Sequence, residues 1–71
     1  MTEETLTDLH EIALPYSKRM ILREVRFASG MKMTRLVIFE GKRVTQVDLD
    51  PDTAEQLADT LRDAAKTQRN G

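Results

Sequence analysis

The side chain in this sequence best suited to proton transfer is a single histidine, His10. Histidine exchanges protons near neutral pH, but a general base needs a nucleophile to activate and a further group to orient it. The 71-residue chain has no cysteine, and neither of its serines lies in the G-x-S-x-G pattern of a nucleophile elbow. Its glycines match neither the Walker nor the dinucleotide-binding pattern. We therefore predict that the protein is not an enzyme, and keep an unrecognised enzyme using His10 and a carboxylate as a third function class.

Acidic residues alternate along Asp48, Asp50 and Asp52, and Glu55 follows as a further oxygen donor. A calcium loop, however, needs a glycine at its sixth position, and here Pro51 stiffens the segment instead. With one histidine and no cysteine, the usual zinc ligand sets cannot form. The sequence therefore predicts neither a metal site nor a cofactor.

Basic side chains are concentrated in the middle of the chain. Residues 18–43 carry a formal charge of +6, between residues 1–17 with −4 and residues 44–71 with −3. Lysine and arginine neutralise phosphates and aromatics stack on bases, so this block could bind single-stranded nucleic acid through Arg26, Lys32, Lys42 and Phe39. The net charge of the whole chain is only −1, whereas a dedicated binder is usually basic. Nucleic-acid binding is therefore the alternative function, and solvated surface charge the preferred interpretation.

The elements that must position these residues include a helix near the C-terminus. Asp50 can cap it, Pro51 suits its first position, and Asp52 suits the positive end of the helix dipole. Apolar residues then recur at helical spacing: Ala54, Leu57, Ala58, Leu61 and Ala65. This narrow stripe predicts an amphipathic helix packed on one face of a sheet, with residues 68–71 as a frayed tail.

Three β-favouring runs precede the helix, at residues 20–28, 31–40 and 43–49. Ser29-Gly30 and Gly41-Lys42 separate them, and we interpret both as two-residue hairpin turns. Counting outward from these turns places Leu36 opposite Arg23 on one side and Val47 on the other. The two turns thus predict an antiparallel meander with a defined register.

The segment before Met20 is compatible with two structures. Residues 5–14 can form a helix, whereas His10, Ile12 and Leu14 alternate as in a strand. We favour a short strand at 10–14 and a four-residue turn at 15–18, which sets Ile12 opposite Ile21. Residues 1–9 are then an acidic, flexible segment, and residues 10–67 form a single α+β domain.

The predicted register gives the sheet two different faces. The face under the helix collects apolar residues: Ile21, Val25, Phe27, Leu36, Ile38, Val47 and Leu49. Arg23 is the exception on that face, and we expect it to reach past the helix to Asp59 or Asp63, or else to hold an anion. The other face carries a row of alternating charge: Glu24, Arg35 and Asp48.

A second apolar area lies beside that charged row in the predicted register: Met20, Leu22, Met33, Val37, Phe39 and Val44. Monomers seldom leave such an area exposed. We therefore predict that it is the interface of a homodimer, with the N-terminal segment as a competing cover.

Four segments carry a family resemblance: Leu22-Arg23-Glu24-Val25, Ser29-Gly30-Met31-Lys32-Met33, Glu40-Gly41-Lys42-Arg43 and Asp48 to Ala54. They resemble a small bacterial domain family of unknown function, over residues 10–66. In layout alone, the strand order is also similar to the single-strand-binding transcriptional coactivator family, in which a dimer lays nucleic acid along basic and aromatic sheet surfaces. That second likeness transfers no functional residue to this chain.

The predicted fold is α+β, a four-stranded antiparallel β-meander followed by a C-terminal α-helix packed on one face. The longest apolar run, residues 36–39, is far shorter than the ~20 residues that span a bilayer, and the first residues are acidic where a secretory signal is basic. We therefore expect a cytoplasmic protein with no membrane partner and no small-molecule substrate. Its expected role is that of a non-catalytic interaction or accessory domain.

Overall fold

The structure, a computed structural model, describes residues 3–70 and has four strands followed by one helix. The strands are β1 (Glu4–Leu14), β2 (Lys18–Phe27), β3 (Lys32–Glu40) and β4 (Arg43–Leu49), and the helix is α1 (Pro51–Asn70). All neighbouring strands are antiparallel, in the order β1-β2-β3-β4. The predicted fold class, a meander with a C-terminal helix on one face, is confirmed.

Two element boundaries differ from the predicted ones. β1 begins at Glu4 instead of residue 10, so residues 4–8, which belong to the segment expected to be flexible, pair with β2. The helix continues to Asn70, through positions expected to fray. Met1, Thr2 and Gly71, which belong to the two predicted tails, lie outside the described residues.

Helix α1 begins where the sequence predicts it, immediately after Asp50. The backbone N–H of Thr53 donates to Asp50 Oδ2 over 3.3 Å, and the Thr53 hydroxyl donates to Oδ1 of the same carboxylate. The Asp50 carbonyl accepts the first helical hydrogen bond, from the N–H of Ala54, at 2.9 Å. Pro51, which has no N–H to leave unpaired, occupies the first helical position.

The turn between β3 and β4 has the predicted length. Gly41 adopts a positive φ of 61° and, with Lys42, forms a two-residue loop between the paired residues Glu40 and Arg43. The predicted pairing of Leu36 with Val47 is therefore confirmed.

The turn between β2 and β3 is one residue longer than predicted, which makes the predicted register of this hairpin wrong. Gly30 N–H donates to the Phe27 carbonyl, and Phe27 N–H donates to the Met31 carbonyl, both at 2.9 Å. The loop is thus the three residues 28–30, a turn followed by Gly30 at a φ of 94°. Leu36 consequently pairs with Leu22, not with Arg23.

A one-residue shift exchanges the two faces of β2 relative to the prediction. Leu22 and Met20 lie on the face that carries α1, whereas Ile21, Val25 and Phe27 lie on the opposite face. The predicted apolar area therefore does not exist as one surface: Met20 and Leu22 are on one face, and Met33, Val37, Phe39 and Val44 on the other.

The hairpin of β1 and β2 also differs from its predicted geometry. Its loop has three residues, 15–17, instead of four, and Ile12 pairs with Met20 rather than Ile21. Tyr16 and Ser17 both adopt positive φ, at 65° and 63°. Farther along β1 the register shifts between Asp8 and His10, which leaves Leu9 as an extra residue.

The buried residues lie on the face that α1 does not cover. Among the described residues, three apolar side chains are buried, and all belong to this second face: Ile21, Val25 and Val37. No described residue of α1 is buried. We call the sheet surface under α1 the groove face, and the opposite surface, with its ion pairs described below, the ionic face.

Candidate interaction surfaces

An open apolar groove separates α1 from the sheet. The helix supplies one wall and the groove face supplies the floor, and the space between them is about 220 Å³. Apolar side chains dominate its lining: Ile12, Met20, Leu22, Leu36, Leu49, Ala54, Leu57, Ala58 and Leu61, together with the polar Thr34. The helix stripe predicted from the sequence therefore points at the sheet without filling the space above it.

The groove is open because α1 approaches half of the sheet. In residues 3–70 the helix backbone comes within 8 Å (Cα to Cα) of β3 and β4 but not of β1 or β2. Leu61 remains 60% exposed and Ile12, on β1, 41% exposed. An apolar helix stripe gains most of its stabilisation by burying its larger side chains, so α1 leaves that gain largely unrealised within one chain.

The whole chain exposes more surface than a folded monomer of its mass. Its accessible surface is 5885 Å², whereas about 4,500 Å² is expected for a monomer of 8.1 kDa. The excess is about 1,400 Å², comparable with what each subunit contributes to an obligate dimer interface. The radius of gyration, 14.3 Å against about 11 Å expected for this length, shows the same departure from compactness.

Arg35 is the centre of the ionic face. Its guanidinium forms two hydrogen bonds to Asp48, from Nε to Oδ1 (2.7 Å) and from Nη2 to Oδ2 (3.1 Å). Nη2 also donates to Glu4 Oε1 at 3.3 Å. The Arg35–Asp48 half of the predicted charge row is confirmed, but Glu24 is replaced by Glu4, because the shifted register sets Arg23 beside Arg35.

Hydrogen bonding between Arg35 and Asp48 governs their protonation. The bonds from Arg35, and secondarily its charge, lower the pKa of Asp48 against an opposing effect of desolvation. The same pairing raises the pKa of Arg35. Both groups therefore stay ionised wherever the protein is folded near neutral pH.

Arg23 has a different partner from the predicted one. It lies on the ionic face, away from α1, and its Nε donates to Asp8 Oδ1 at 2.6 Å. The expectation that it reaches Asp59 or Asp63 is wrong, because it depended on the two-residue turn. The sequence signal for the true partner is the acid Asp8 at the matching position of β1, which becomes visible only once β1 is extended to Glu4.

The ion pairs of this face cover the aliphatic residues beneath them. Val25 pairs with Leu6 on β1 and Met33 on β3. Arg35 lies two residues after Met33 on β3, and Glu4 lies two residues before Leu6 on β1. The bridge between Arg35 and Glu4 therefore crosses β2 at Val25. Val25 is 0% exposed. The ionic face thus has its own small core, at which Val25 lies on the line between Arg35 and Glu4.

The proposed nucleic-acid contacts are not brought together. Arg26 and Lys32 pair at one end of the hairpin, but Lys42 follows the other end of β3, about 30 Å away at strand spacing. Phe39 lies on the ionic face, where the guanidinium of Arg19 sits 4.2 Å from its ring centre. Other bases of the block are occupied by acids: Lys18 by Glu40, Arg19 by Glu11, Arg23 by Asp8 and Arg35 by Asp48.

The acidic run before α1 has structural partners. Asp48 binds Arg35, and Asp50 caps the helix, with its pKa lowered first by the Thr53 hydroxyl and then by the Thr53 N–H. Within residues 3–70, no group of three or more histidine or carboxylate side chains could hold a metal ion. His10 is exposed on β1, where it pairs with Leu22.

The helix α1 has 20 residues, yet no helix in the described part of the chain is long and apolar enough to cross a membrane.

The chain belongs to a family of unknown function (DUF6967), whose sequence profile matches residues 3–67. The resemblance to a family of that kind is therefore confirmed, over a slightly longer stretch than residues 10–66. No curated protein and no solved structure matches the chain.

Proposed function

We propose that this member of the family is a non-catalytic interaction domain that acts as a homodimer, and that the groove face is its interface. The observation that carries the proposal is the surplus of about 1,400 Å² of exposed surface, together with an open apolar groove. Helix α1 and half of the sheet provide complementary apolar walls that one chain leaves uncovered. A second copy of the chain carries the same apolar walls, so two copies can cover each other's exposed surface.

The groove face is a better interface than the face predicted from the sequence. On the ionic face, Val37 is 1% exposed and Phe39 lies under Arg19, so these side chains are already covered within one chain. On the groove face, Leu57 and Leu61 on the helix and Ile12 on β1 are all more than a third exposed. The prediction of a homodimer is thus retained with a different surface.

Mass in solution tests this proposal directly. The wild-type chain should sediment as a dimer of twice 8.1 kDa, and Leu61→Gln should shift the protein to monomer. Leu6→Gln is a matched control, since Leu6 is also a leucine at least half exposed but lies on the ionic face. Because Leu61 is 60% exposed in one chain, its substitution should preserve the circular dichroism of the folded protein.

Two results would contradict the proposal. One is a wild-type protein that stays monomeric over the whole accessible concentration range. The other is a dimer that Leu61→Gln and Leu6→Gln weaken equally, which would place the interface away from α1.

Single-stranded nucleic-acid binding is the alternative function, and the structure supports it less well because its candidate residues are dispersed. It would reveal itself as a complex with a mixed single-stranded oligonucleotide whose affinity falls steeply with salt. Arg26→Ala and Lys32→Ala should then weaken that complex, whereas both should leave the dimer proposed here unchanged.

A further inference from the structure

Helix α1 carries a row of exposed charges along one flank. The residues are spaced alternately by three and four, so they stay on one side of a helix: Asp52, Glu55, Asp59, Arg62, Lys66 and Arg69. This row borders the apolar stripe that contains Leu61. The opposite flank carries neutral polar residues, including Thr53, Gln56 and Thr60, which line a shallow surface depression with Leu57.

The order of charge along these six residues is antisymmetric; Asp63, four residues after Asp59 and three before Lys66, lies beside them without a symmetric basic counterpart. The first three residues are acids and the last three are bases. The row has a centre between residues 60 and 61, and each acid on one side has a base at the same distance on the other: Asp52 with Arg69, Glu55 with Lys66, and Asp59 with Arg62. A second copy of the row is complementary to the first when it runs antiparallel, and repels it when it runs parallel.

We propose that two copies of the chain associate with their α1 helices antiparallel, charged row beside charged row, around a two-fold axis near residues 60 and 61. This inference rests on the homodimer proposed above and specifies its geometry. A two-fold axis perpendicular to the helices makes each of the three acid–base pairings occur twice.

The charges set the orientation and the apolar groove supplies the affinity. Exposed ion pairs on helices stabilise little individually, and Arg62 already has an intrahelical partner in Asp59 at 3.1 Å. Like charges facing each other are nevertheless unfavourable, so a parallel arrangement would be penalised along the whole row. Acids near the N-terminus and bases near the C-terminus also complement the helix dipole, but that effect requires no particular spacing.

Engineered cysteines distinguish the two orientations, because the chain has no cysteine of its own. Glu55→Cys and Lys66→Cys proteins, one of them tagged, are mixed and oxidised under mild conditions. The antiparallel dimer should give mainly the mixed disulfide between the two variants. A predominance of the Glu55→Cys disulfide with itself would overturn the proposal, and so would a dimer that forms no disulfide in the mixture.

Charge reversal provides the second measurement. Glu55→Lys should weaken association about tenfold, because the pairing is lost twice per dimer, and Lys66→Glu should weaken it similarly. The double variant should recover most of the affinity, since the two reversals restore complementarity. Thr60→Lys, on the neutral flank of the same helix, should leave association close to wild type.

The outcomes separate the two proposals. A monomeric wild-type protein contradicts the proposed homodimer itself. The other outcome is a dimer that Leu61→Gln dissociates but whose affinity is not recovered when Glu55→Lys is combined with Lys66→Glu. That result supports the groove interface and refutes the antiparallel pairing.

Discussion

Val25→Ala is the substitution that most directly tests the small core of the ionic face. Val25 is 0% exposed although no helix lies on its side of the sheet. The bridge from Arg35 to Glu4, whose atoms approach to 3.3 Å, crosses β2 at this residue. If that bridge keeps water away from the valine, truncating the side chain removes buried apolar groups and leaves a cavity.

The expected loss is large for a chain of this size. Removing two methyl-sized groups costs about 1.6 kcal/mol in transfer free energy, and the cavity brings the total to about 2–3 kcal/mol. A domain of 71 residues has a free energy of unfolding of about 4–10 kcal/mol. The single substitution should therefore remove about a third of the stability and lower the melting temperature by about 8–24 °C.

Urea unfolding followed by circular dichroism measures this loss, at one fixed protein concentration because association contributes to stability. Val44→Ala is the matched control: Val44 lies on the same face, in a strand, but is 51% exposed, so its truncation should cost less than about 0.5 kcal/mol. Equal losses in the two variants, or no loss in Val25→Ala, would show that the ion pairs do not exclude water from Val25.

Three further predictions concern the helix cap, acid stability and the first turn. Asp50→Ala should lower the urea midpoint and the helix signal more than Asp50→Asn, which keeps an oxygen acceptor for the cap; equal losses would place the start of α1 elsewhere. The folded protein lowers the pKa of both Asp48 and Asp50, so their ionised forms contribute to the free energy of unfolding above about pH 4, and this contribution is lost on further acidification. Asp48→Asn should therefore reduce the fall in urea midpoint that the wild type shows as the pH is lowered. Ser17→Gly should raise stability by about 0.5–1 kcal/mol, since it relieves a positive φ of 63°, whereas Ser29→Gly, at a position without positive φ, should not raise the melting temperature.

The sequence predicts the elements of this fold well, because each has a local signal. Asp50 and Pro51 mark the start of the helix, and Gly41 with Lys42 marks a turn whose length follows from one glycine at positive φ. The β2–β3 turn fails for an equally local reason. A glycine can occupy the second position of a two-residue loop or the last of a three-residue loop, and Ser29-Gly30 does not distinguish these.

The wrong length of the β2–β3 turn also makes the predicted partners of the β2 side chains wrong. One extra loop residue places every side chain of β2 on the face opposite to the predicted one. Arg23 therefore lies on the ionic face and binds Asp8, and Leu22 lies on the groove face and pairs with Leu36. The strand β3 and the strand β4 keep their predicted faces because they depend on the other turn. Long-range partners such as Glu4 for Arg35 have no signal at all until β1 is placed.

The two faces of the sheet bury their apolar residues to different extents within one chain. On the ionic face, Val25 and Val37 are buried within one chain, and Arg35 on the same face is itself only 18% exposed. On the groove face, α1 supplies two leucines and several alanines, and alanine adds little apolar area at the distance at which α1 lies. The ionic face therefore buries Ile21, Val25 and Val37 within a single copy, although Leu6 and Val44 on its outer strands stay about half exposed, whereas the groove face buries no described side chain and is exposed on both of its walls. Association should consequently stabilise α1 more than the sheet, because the helix is the element whose larger side chains remain exposed.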